Sequence, residues 1–270
     1  MAIMNLLVAF NGTEASEAAL RYAASLAKQR GAHLTALLVH SVHDTFDTTS
    51  RWIPREARSL LADARESIVS EIVAHFERLR PSLGLGNDLV LRTQKGRVDI
   101  VLSDTARSFD MLIVGRPMRG DDEHVVLHPD RIALLAGRPV IVVPEGYDVE
   151  ARHSHAALAW DGGRAAARAM SDSLRLLEQQ GKVSVLTIGP PVGSLDDLMA
   201  HLSLHDIETV HEEWPAGHSL VESIVSYCKR NDPSLLVMGA YEHSKFRDDF
   251  LGGHTAKILR EISIPILLSH

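Results

Sequence analysis

The sequence predicts an α/β protein made of two tandem, Rossmann-like halves, each with a five-stranded parallel sheet and helices on both faces. Three observations lead to this prediction. Short apolar runs alternate with longer stretches of helical periodicity along the 270 residues. The same order of strands and helices occurs twice, and landmark residues of the two copies match. These landmarks are "FNG" at 10–12 and "WDG" at 160–162, Gly115 and Gly239, and Pro139 and Pro265.

The first half begins with the apolar run "IMNLLVAF", which predicts a buried strand. A helix follows, because apolar residues recur on one face until Gly31 ends the pattern. "HLTALLVH" predicts the second strand, and a longer helix comes after it. The strand "DLVLRT", a helix from about Arg97, the strand "DMLIVG", a short helix and the strand "RPVIVVP" complete this half. The apolar faces of the first two helices consist of Ala19, Tyr22, Ala23 and Leu26, and of Leu61, Ile68, Ile72, Phe76 and Leu79.

The second half repeats this order. The strand "AALAWDGG" leads into a helix that we expect to reach about Gln180, and "KVSVLTIG" is the next strand. The helix opened by "SLDD" has a capping-box pattern formed by Ser194 and Asp197. The strand "DIETVHE", a helix from about Ser219, the strand "SLLVMG", a helix from about His254 and the strand "IPILLS" follow. Leu195, Leu198, Met199 and Leu202 form the apolar face of the "SLDD" helix.

The repeat divides the chain into two domains, residues 1–147 and 153–270, joined by a polar linker near "EGYDVEARHSH". The first half is longer, and its extra residues lie in "SVHDTFDTTSRWIPRE". Parallel sheets bind ligands at the carboxyl ends of their strands, where the strand order reverses. If the first and fourth strands of the second half are neighbours there, the loops "WDGG" and "GAYE" face one crevice.

Composition excludes several classes of protein. The net charge of −7 and the pI near 6.1 give no electrostatic footprint for nucleic acid. No segment approaches the roughly 20 apolar residues that cross a bilayer, and the N-terminus lacks the pattern of a secretion signal. The single cysteine, Cys228, continues an apolar helical stripe and is predicted to be a buried hydrophobic residue. We therefore expect a cytoplasmic protein that binds neither nucleic acid nor membrane.

Two stretches of the second half carry a resemblance to a known family. These are "VMGAYEHSKF", continued by "LGGHTAKIL" and "IPILLSH", and the turn "AWDGGRAAARA". With them, the chain resembles the universal stress protein family in its tandem form. The resemblance implies a sheet order of 3-2-1-4-5, a pseudo-dimer joined at the strands "PVIVVP" and "PILLSH", and a nucleotide motif, G-x2-G-x9-G-[ST], after the fourth strand. Those two strands would otherwise be exposed apolar edges. Gly239 matches the first glycine of the motif, and Gly252 matches the third.

The chain also departs from this motif. Glu242 stands where the family has its second glycine, and Gly253 stands in place of the Ser or Thr, although Thr255 lies two residues further on. In the first half, Asn11 replaces the aspartate of the first-strand turn. The later glycines are missing after Gly115, where three consecutive acids occur. We interpret the first half as a structural partner and not as a second nucleotide site.

The resemblance assigns the binding roles in the second half. Asp161 would contact the ribose, or act as the N-cap of the helix "RAAARAM". The backbone at Ile188, whose side chain is predicted to be core, would contact the adenine. Glycines and a helix N-terminus suit phosphate, although they also suit a simple turn. The complete set of predicted nucleotide-binding residues is Asp161, Ile188, Gly239, Glu242, His243, Gly252, Gly253, His254 and Thr255.

Glu242 is the obstacle to a phosphate at this site. A carboxylate about 4 Å from a phosphate would weaken binding by about 1 kcal/mol in water-like surroundings and by about 4 kcal/mol at an effective dielectric of about 20. Two arrangements remove the conflict: the side chain points to solvent, or it helps to hold Mg²⁺. His243 follows directly and offers a compensating donor.

Histidines raise the question of a metal. His201 and His205 have the i, i+4 spacing of two metal ligands, but no cysteine or "HExxH" accompanies them. "HSH" at 153–155 lies in the predicted linker. We predict surface histidines and no metal site. No residue is an evident general base, so no catalytic residue is predicted.

Three functional hypotheses follow. The first is a stress-response regulatory protein that binds ATP or another adenine nucleotide, with Mg²⁺, in its second half, so that the loop at 240–254 changes a surface recognised by a protein partner. The second is an interaction scaffold without nucleotide, and the third is a slow ATPase. Under the first hypothesis, the protein is not an enzyme. Whether two chains associate as a homodimer stays open.

Overall fold

The computed structural model describes residues 2–40, 55–116, 127–147, 151–189, 193, 195–240 and 254–270. Within these residues, ten strands form one sheet in the order β3-β2-β1-β4-β5-β10-β9-β6-β7-β8. The strands are β1 (Asn5–Ala9), β2 (His33–His40), β3 (Leu89–Lys95), β4 (Met111–Gly115), β5 (Val140–Val143), β6 (His153–Ala159), β7 (Leu177–Ile188), β8 (Glu208–Trp214), β9 (Leu235–Gly239) and β10 (Ile266–Ser269).

Helices connect these strands and cover both faces of the sheet. A short 3₁₀ turn, Gly86–Asp88, precedes β3. The α-helices of the described residues are α1 (Glu14–Arg30), α2 (Arg55–Leu83), α3 (Val98–Ala106), α4 (Pro129–Ala136), α5 (Arg164–Ser173), α6 (Leu195–Ser203), α7 (Leu220–Asn231) and α8 (His254–Glu261).

The two halves have the predicted topology. Strands β1 to β5 have the order 3-2-1-4-5, and β6 to β10 repeat it in mirror sequence across the sheet. Pairing is parallel within each half. The last strands of the halves pair antiparallel, with Ile266 opposite Val142 and Leu268 opposite Val140. The predicted join is therefore confirmed, and it leaves neither apolar edge exposed.

Each face of the sheet has its own core, because successive residues of a strand point to opposite faces. Leu6 and Val8 of β1 belong to the core on one face, which also contains residues of α1, α2, α5 and α6. Leu7 and Ala9 belong to the core on the other face, which contains residues of α3, α4, α7 and α8. Helices of both halves thus share each face, as a pseudo-two-fold axis perpendicular to the sheet requires.

The fifth helix is shorter than its sequence predicts. It ends at Ser173 and not near Gln180, and β7 begins at Leu177. Leu176 is 1% exposed, and its backbone N–H donates to the carbonyl of Ser173 in a tight turn. Leu177 then pairs with His153 at the start of β6. Tertiary pairing of the strand overrides the helical periodicity of this segment.

The predicted apolar face of α2 is buried only in part. Phe76 is fully buried and Ile72 packs against the core, but Ile68 is 56% exposed. A helix of 29 residues is about 43 Å long, whereas the eight-residue strand β2 is about 26 Å long. The helix therefore extends beyond the ends of the strands, and apolar residues such as Ile68 continue its periodicity outside the buried part.

His153 is not a linker residue, contrary to the prediction. It is the first residue of β6 and is 0% exposed. A hydrogen bond of 2.6 Å joins its Nε2 to the hydroxyl of Tyr22, which lies on α1 in the first half. Burial lowers the pKa of His153 to about 4, so the ring is neutral near pH 7. The histidine is part of the contact between the halves.

An ion pair also joins the halves. Arg175, just after α5, lies 3.0 Å from the carboxylate of Asp110, just before β4. The same carboxylate accepts hydrogen bonds from the backbone N–H groups of Met4 and Asn5, at 2.8 and 3.0 Å. Burial alone would raise the pKa of Asp110, but these hydrogen bonds and Arg175 outweigh it and lower the pKa.

Replacing Asp110 with alanine is expected to lower the free energy of unfolding by about 2 kcal/mol, because three donors lose a charged acceptor. Urea unfolding measures the change. Asp104→Ala is the control, since Asp104 forms an exposed ion pair with Arg107 that is worth about 0.5 kcal/mol. Equal losses for the two variants would contradict the role given to Asp110.

Candidate functional site

The predicted crevice lies at the carboxyl ends of β6 and β9, which are neighbours in the sheet. Ala159 is opposite Met238, so the turn at Asp161 and the end of β9 at Gly239 meet at one edge. The chain leaves β6 into α5 on one face of the sheet, whereas α8 lies on the other face. This is the switch point at which open α/β sheets bind ligands.

Asp161 shapes the turn after β6. Its Oδ1 accepts a hydrogen bond of 2.8 Å from the backbone N–H of Gly163, across Gly162 with φ of 76°. Gly163 is itself the N-cap of α5, so the predicted N-cap role of Asp161 is wrong. The carboxylate instead forms an Asx turn, because its acceptor reaches the N–H two residues later. Asp161 is exposed at the crevice.

The first half contains the same turn with a neutral side chain. The Oδ1 of Asn11 accepts from the backbone N–H of Thr13 at 3.2 Å, across Gly12 with φ of 81°. Thr13 is the N-cap of α1 and accepts from the N–H of Ser16. The two halves therefore differ at this position in charge and not in backbone geometry.

Gly239 has a packing role that needs no ligand. A Cβ at this position would lie 2.8 Å from the backbone N of Ala166 and from the backbone carbonyl carbon of Ala165, in the first turn of α5. In the first half, a Cβ at Gly115 would lie 2.5 Å from the carbonyl carbon of Ala15 in α1. Both glycines allow a strand end to approach the first turn of a helix.

Three other predicted residues lie at the same end of the second half. Ile188, the last residue of β7, is only partly buried, so it is not the core side chain that the sequence predicted. His254 begins α8 and is exposed, whereas Thr255 is 8% exposed. The predicted contacts at Glu242, His243, Gly252 and Gly253 lie outside the described residues, as does the capping residue Ser194.

In the first half, a carboxylate of the chain itself lies at the helix terminus that corresponds to the start of α8. The carboxyl of Asp99 lies beside His128, the N-cap residue of α4; the backbone N–H of His128 and the charge of Arg131 both act to lower the pKa of this carboxyl. Burial is the largest influence and raises the pKa of Asp99 overall. Asp99 is the second residue of α3, and the second residue of α7 is Val221.

Two further side chains distinguish the first half near the carboxyl ends of its strands. Ile72 of α2 lies over the first-strand turn, because a Cβ on Gly12 would be 3.2 Å from its Cγ1. Arg116, which follows Gly115, donates 2.6 Å to the carbonyl of Ile262 in the other half. Asp99, Ile72 and Arg116 were not predicted from the sequence as residues that distinguish the two halves. The one available signal was an aspartate in α3 where α7 has a valine.

No metal or thiol chemistry is evident in the part of the chain that the structure describes. No group of three or more His, Cys, Asp or Glu residues there could hold a metal ion. The rings of His201 and His205 lie 4.9 Å apart, but α6 already ends at Ser203. Cys228 is buried, as predicted, and burial raises its pKa to about 12, so it is a protonated core residue. Among the same residues, no helix combines the length and apolar character needed to cross a bilayer.

Comparisons with known proteins agree with this architecture. Residues 2–144, more than half of the chain, match the profile of the Universal stress protein family. The chain is 25% identical to Universal stress protein Slr1230 of Synechocystis, over 97% of this chain and 98% of that protein. A universal stress protein from Archaeoglobus fulgidus has the same fold, with a TM-score of 0.71, 12% identity and coverage of 98% of this chain and 95% of that one.

The fold also occurs outside stress proteins. The cytoplasmic domain of a prokaryotic cation chloride cotransporter superposes with a TM-score of 0.50 and 10% identity, over 98% of this chain and 95% of that one. Identities this low show the fold alone. Function must therefore be argued from the residues at the crevice.

Proposed function

The chain belongs to the universal stress protein family, and we propose that its second half binds one adenine nucleotide while its first half is a structural partner. The observation that carries this proposal is the difference between the two crevices. Asp99, the second residue of α3, has its carboxyl beside His128 at the start of α4, whereas the second residue of α7 is Val221. An anion at the first-half terminus would meet the Asp99 carboxylate, whereas the matching position of α7 carries no charge.

The proposed contacts follow the ends of the strands. Asp161 accepts hydrogen bonds from the ribose, and the backbone at Ile188 contacts the adenine. Gly239, Gly252 and Gly253 and the start of α8, with His254 and Thr255, face the phosphates. Glu242 and His243 complete the site by way of Mg²⁺, for which a carboxylate is a suitable ligand.

The proposed role is regulatory and not catalytic. Nucleotide binding would favour one arrangement of the loop at 240–254, and a protein partner would recognise that arrangement in the cytoplasm. Such a shift requires that the nucleotide binds the two arrangements with different affinity. We propose no ATPase activity, because no residue has been identified as a general base.

Calorimetric titration of the protein with ATP and Mg²⁺ tests this proposal. We expect binding at one site per chain with micromolar affinity. Omission of Mg²⁺ should weaken binding if Glu242 helps to hold the ion. Absence of heat, together with absence of thermal stabilisation at millimolar ATP, would contradict the proposal.

Replacing Asp161 with alanine is expected to weaken ATP binding about tenfold, because a charged hydrogen bond to the ribose is lost. Asn11→Ala is the matched control, since Asn11 makes the same turn in the first half. The control should leave ATP affinity unchanged. If both variants bind ATP like the wild type, Asp161 has no part in the site.

A second function is favoured by the departures at Glu242 and Gly253. If these residues exclude phosphate, the protein is an interaction scaffold that binds no nucleotide. The titration distinguishes the two, because a scaffold gives no heat with ATP.

A further inference from the structure

Arg116 connects the first half to a helix of the second half. It follows Gly115 at the carboxyl end of β4, and its side chain is directed to the C-terminal end of α8. Its Nη1 lies 2.6 Å from the carbonyl oxygen of Ile262, 3.1 Å from that of Leu259 and 3.5 Å from that of Arg260. One guanidinium therefore serves three carbonyls at the end of one helix.

These carbonyls need such a partner. The last carbonyls of an α-helix have no intrahelical donor, and the C-terminus carries partial negative charge. Burial lowers the pKa of Arg116 and the charge of Glu145 raises it, but a guanidinium stays protonated in proteins. Arg116 is thus a fixed, half-buried cation at the C-terminus of α8.

We propose that Arg116 is a positioning residue, through which the first half holds α8 and thereby sets the ligand-binding end of that helix. The ligand part of this inference rests on the proposed function. Helix α8 has eight residues and is about 12 Å long, so it moves as a short rigid body. If the end of the helix is held at Leu259 to Ile262, its first turn stays at a fixed position relative to the ends of β6 and β9.

Among the residues that the structure describes, the position of the second half that corresponds to Arg116 makes no such contact. The residue that follows Gly239 is Ala240, which is 0% exposed and has no charged group to return to the first half. The corresponding helix of the first half, α4, receives its cation from its own half. The Nη2 of Arg107 lies 3.2 Å from the carbonyl oxygen of Leu135, near the end of α4. Within the described residues, Arg116 thus acts from the first half on the second-half helix without an equivalent from Ala240.

Arg107 supplies a matched control for the test. The experiment compares Arg116→Met, Arg116→Lys and Arg107→Met, in the full chain, by amide hydrogen exchange and by titration with ATP and Mg²⁺. Arg116→Met should speed the exchange of α8 amides and weaken ATP binding about tenfold, because a cation at a partly buried helix end is lost. Arg116→Lys should restore part of both losses. Arg107→Met should speed exchange in α4 and leave ATP affinity unchanged.

Two results would overturn the proposal. In one, Arg116→Met leaves the exchange of α8 unchanged. In the other, it loosens α8 without weakening ATP binding. If Arg116→Met does not fold, Arg116→Lys gives the same comparison. If the wild type binds no ATP, the proposed function fails. The exchange of α8 amides then tests by itself whether Arg116 stabilises this helix.

Discussion

Replacing Gly115 with alanine is expected to lower the free energy of unfolding by about 3 kcal/mol, the upper range for overpacking. The new Cβ would lie 2.5 Å from the carbonyl carbon of Ala15 and 2.9 Å from the N of Ser16. Both atoms belong to the backbone of α1, so no side chain can rotate away. Relief requires that α1 and β4 separate, which disturbs a core that is fully buried. Chemical denaturation measures the loss.

Two other glycine variants calibrate this result. Gly239→Ala should destabilise the second half for the same reason but by less, because its nearest backbone atoms lie 2.8 Å away. Gly137→Ala meets nothing within 4 Å and has φ of 60°, so only backbone strain of about 1 kcal/mol is expected. If Gly115→Ala is no more destabilising than Gly137→Ala, the close approach of strand and helix is not as described.

Acidification from pH 6.5 to about 4 is expected to remove about 3 kcal/mol of stability through His153. Burial lowers the pKa of this residue in the folded state to about 4, from an ordinary value of 6.5; the charge of Arg30 lowers it further, and the backbone of Ser234 offsets part of the effect. Between these two values the unfolded chain binds a proton that the folded chain does not. Stability from this residue is therefore complete above pH 6.5 and is lost as the pH falls. Below about pH 4, protonation of His153 lowers the free energy of unfolding no further.

A double variant isolates this contribution. Tyr22→Phe combined with His153→Leu removes the titrating ring and also the hydroxyl that would otherwise be stranded in the core. Its stability should depend less steeply on pH between 6.5 and 4 than that of the wild type. His218→Gln, at an exposed histidine, is the control and should keep the wild-type slope. Because burial also lowers the pKa of His155, a residual slope is expected. An unchanged slope in the double variant would contradict the assignment to His153.

The fold was predictable because each half repeats a local pattern. Apolar strands such as "HLTALLVH" alternate with amphipathic helices, and β2 has the bounds that its sequence predicts, His33–His40. The join between β5 and β10 was implied by the family resemblance, and it agrees with the apolar character of two strands that would otherwise lie at edges. Duplication adds a second check, because an element assigned in one half must occur in the other.

The contacts between the halves were not predictable from local pattern. His153 precedes the apolar part of β6 and lies in a polar segment typical of a linker. Its side chain nevertheless contacts Tyr22, 131 residues away in the sequence. Arg116 and Arg175 are charged residues in turns, and only the packing of one half on the other gives them partners. Helix α5 ended early because Leu177 pairs with His153, which is a tertiary effect.

The candidate site was predictable in place but not in detail. The position of Asp161 beside Gly239 follows from the strand order. The Asx turn of Asp161, the packing role of Gly239 and the carboxylate of Asp99 at α4 depend on atomic contacts that no spacing in the sequence reveals. The difference between the halves therefore emerges only when their side chains are compared in space.

The central claim is that one nucleotide binds, and that it binds in the second half. Amide hydrogen exchange with and without saturating ATP and Mg²⁺ tests it most directly. The account predicts slower exchange at residues 160–165 and 254–258, with residues 11–16 and 128–132 unchanged. Protection at 11–16 and 128–132, or at both pairs of segments, would contradict it.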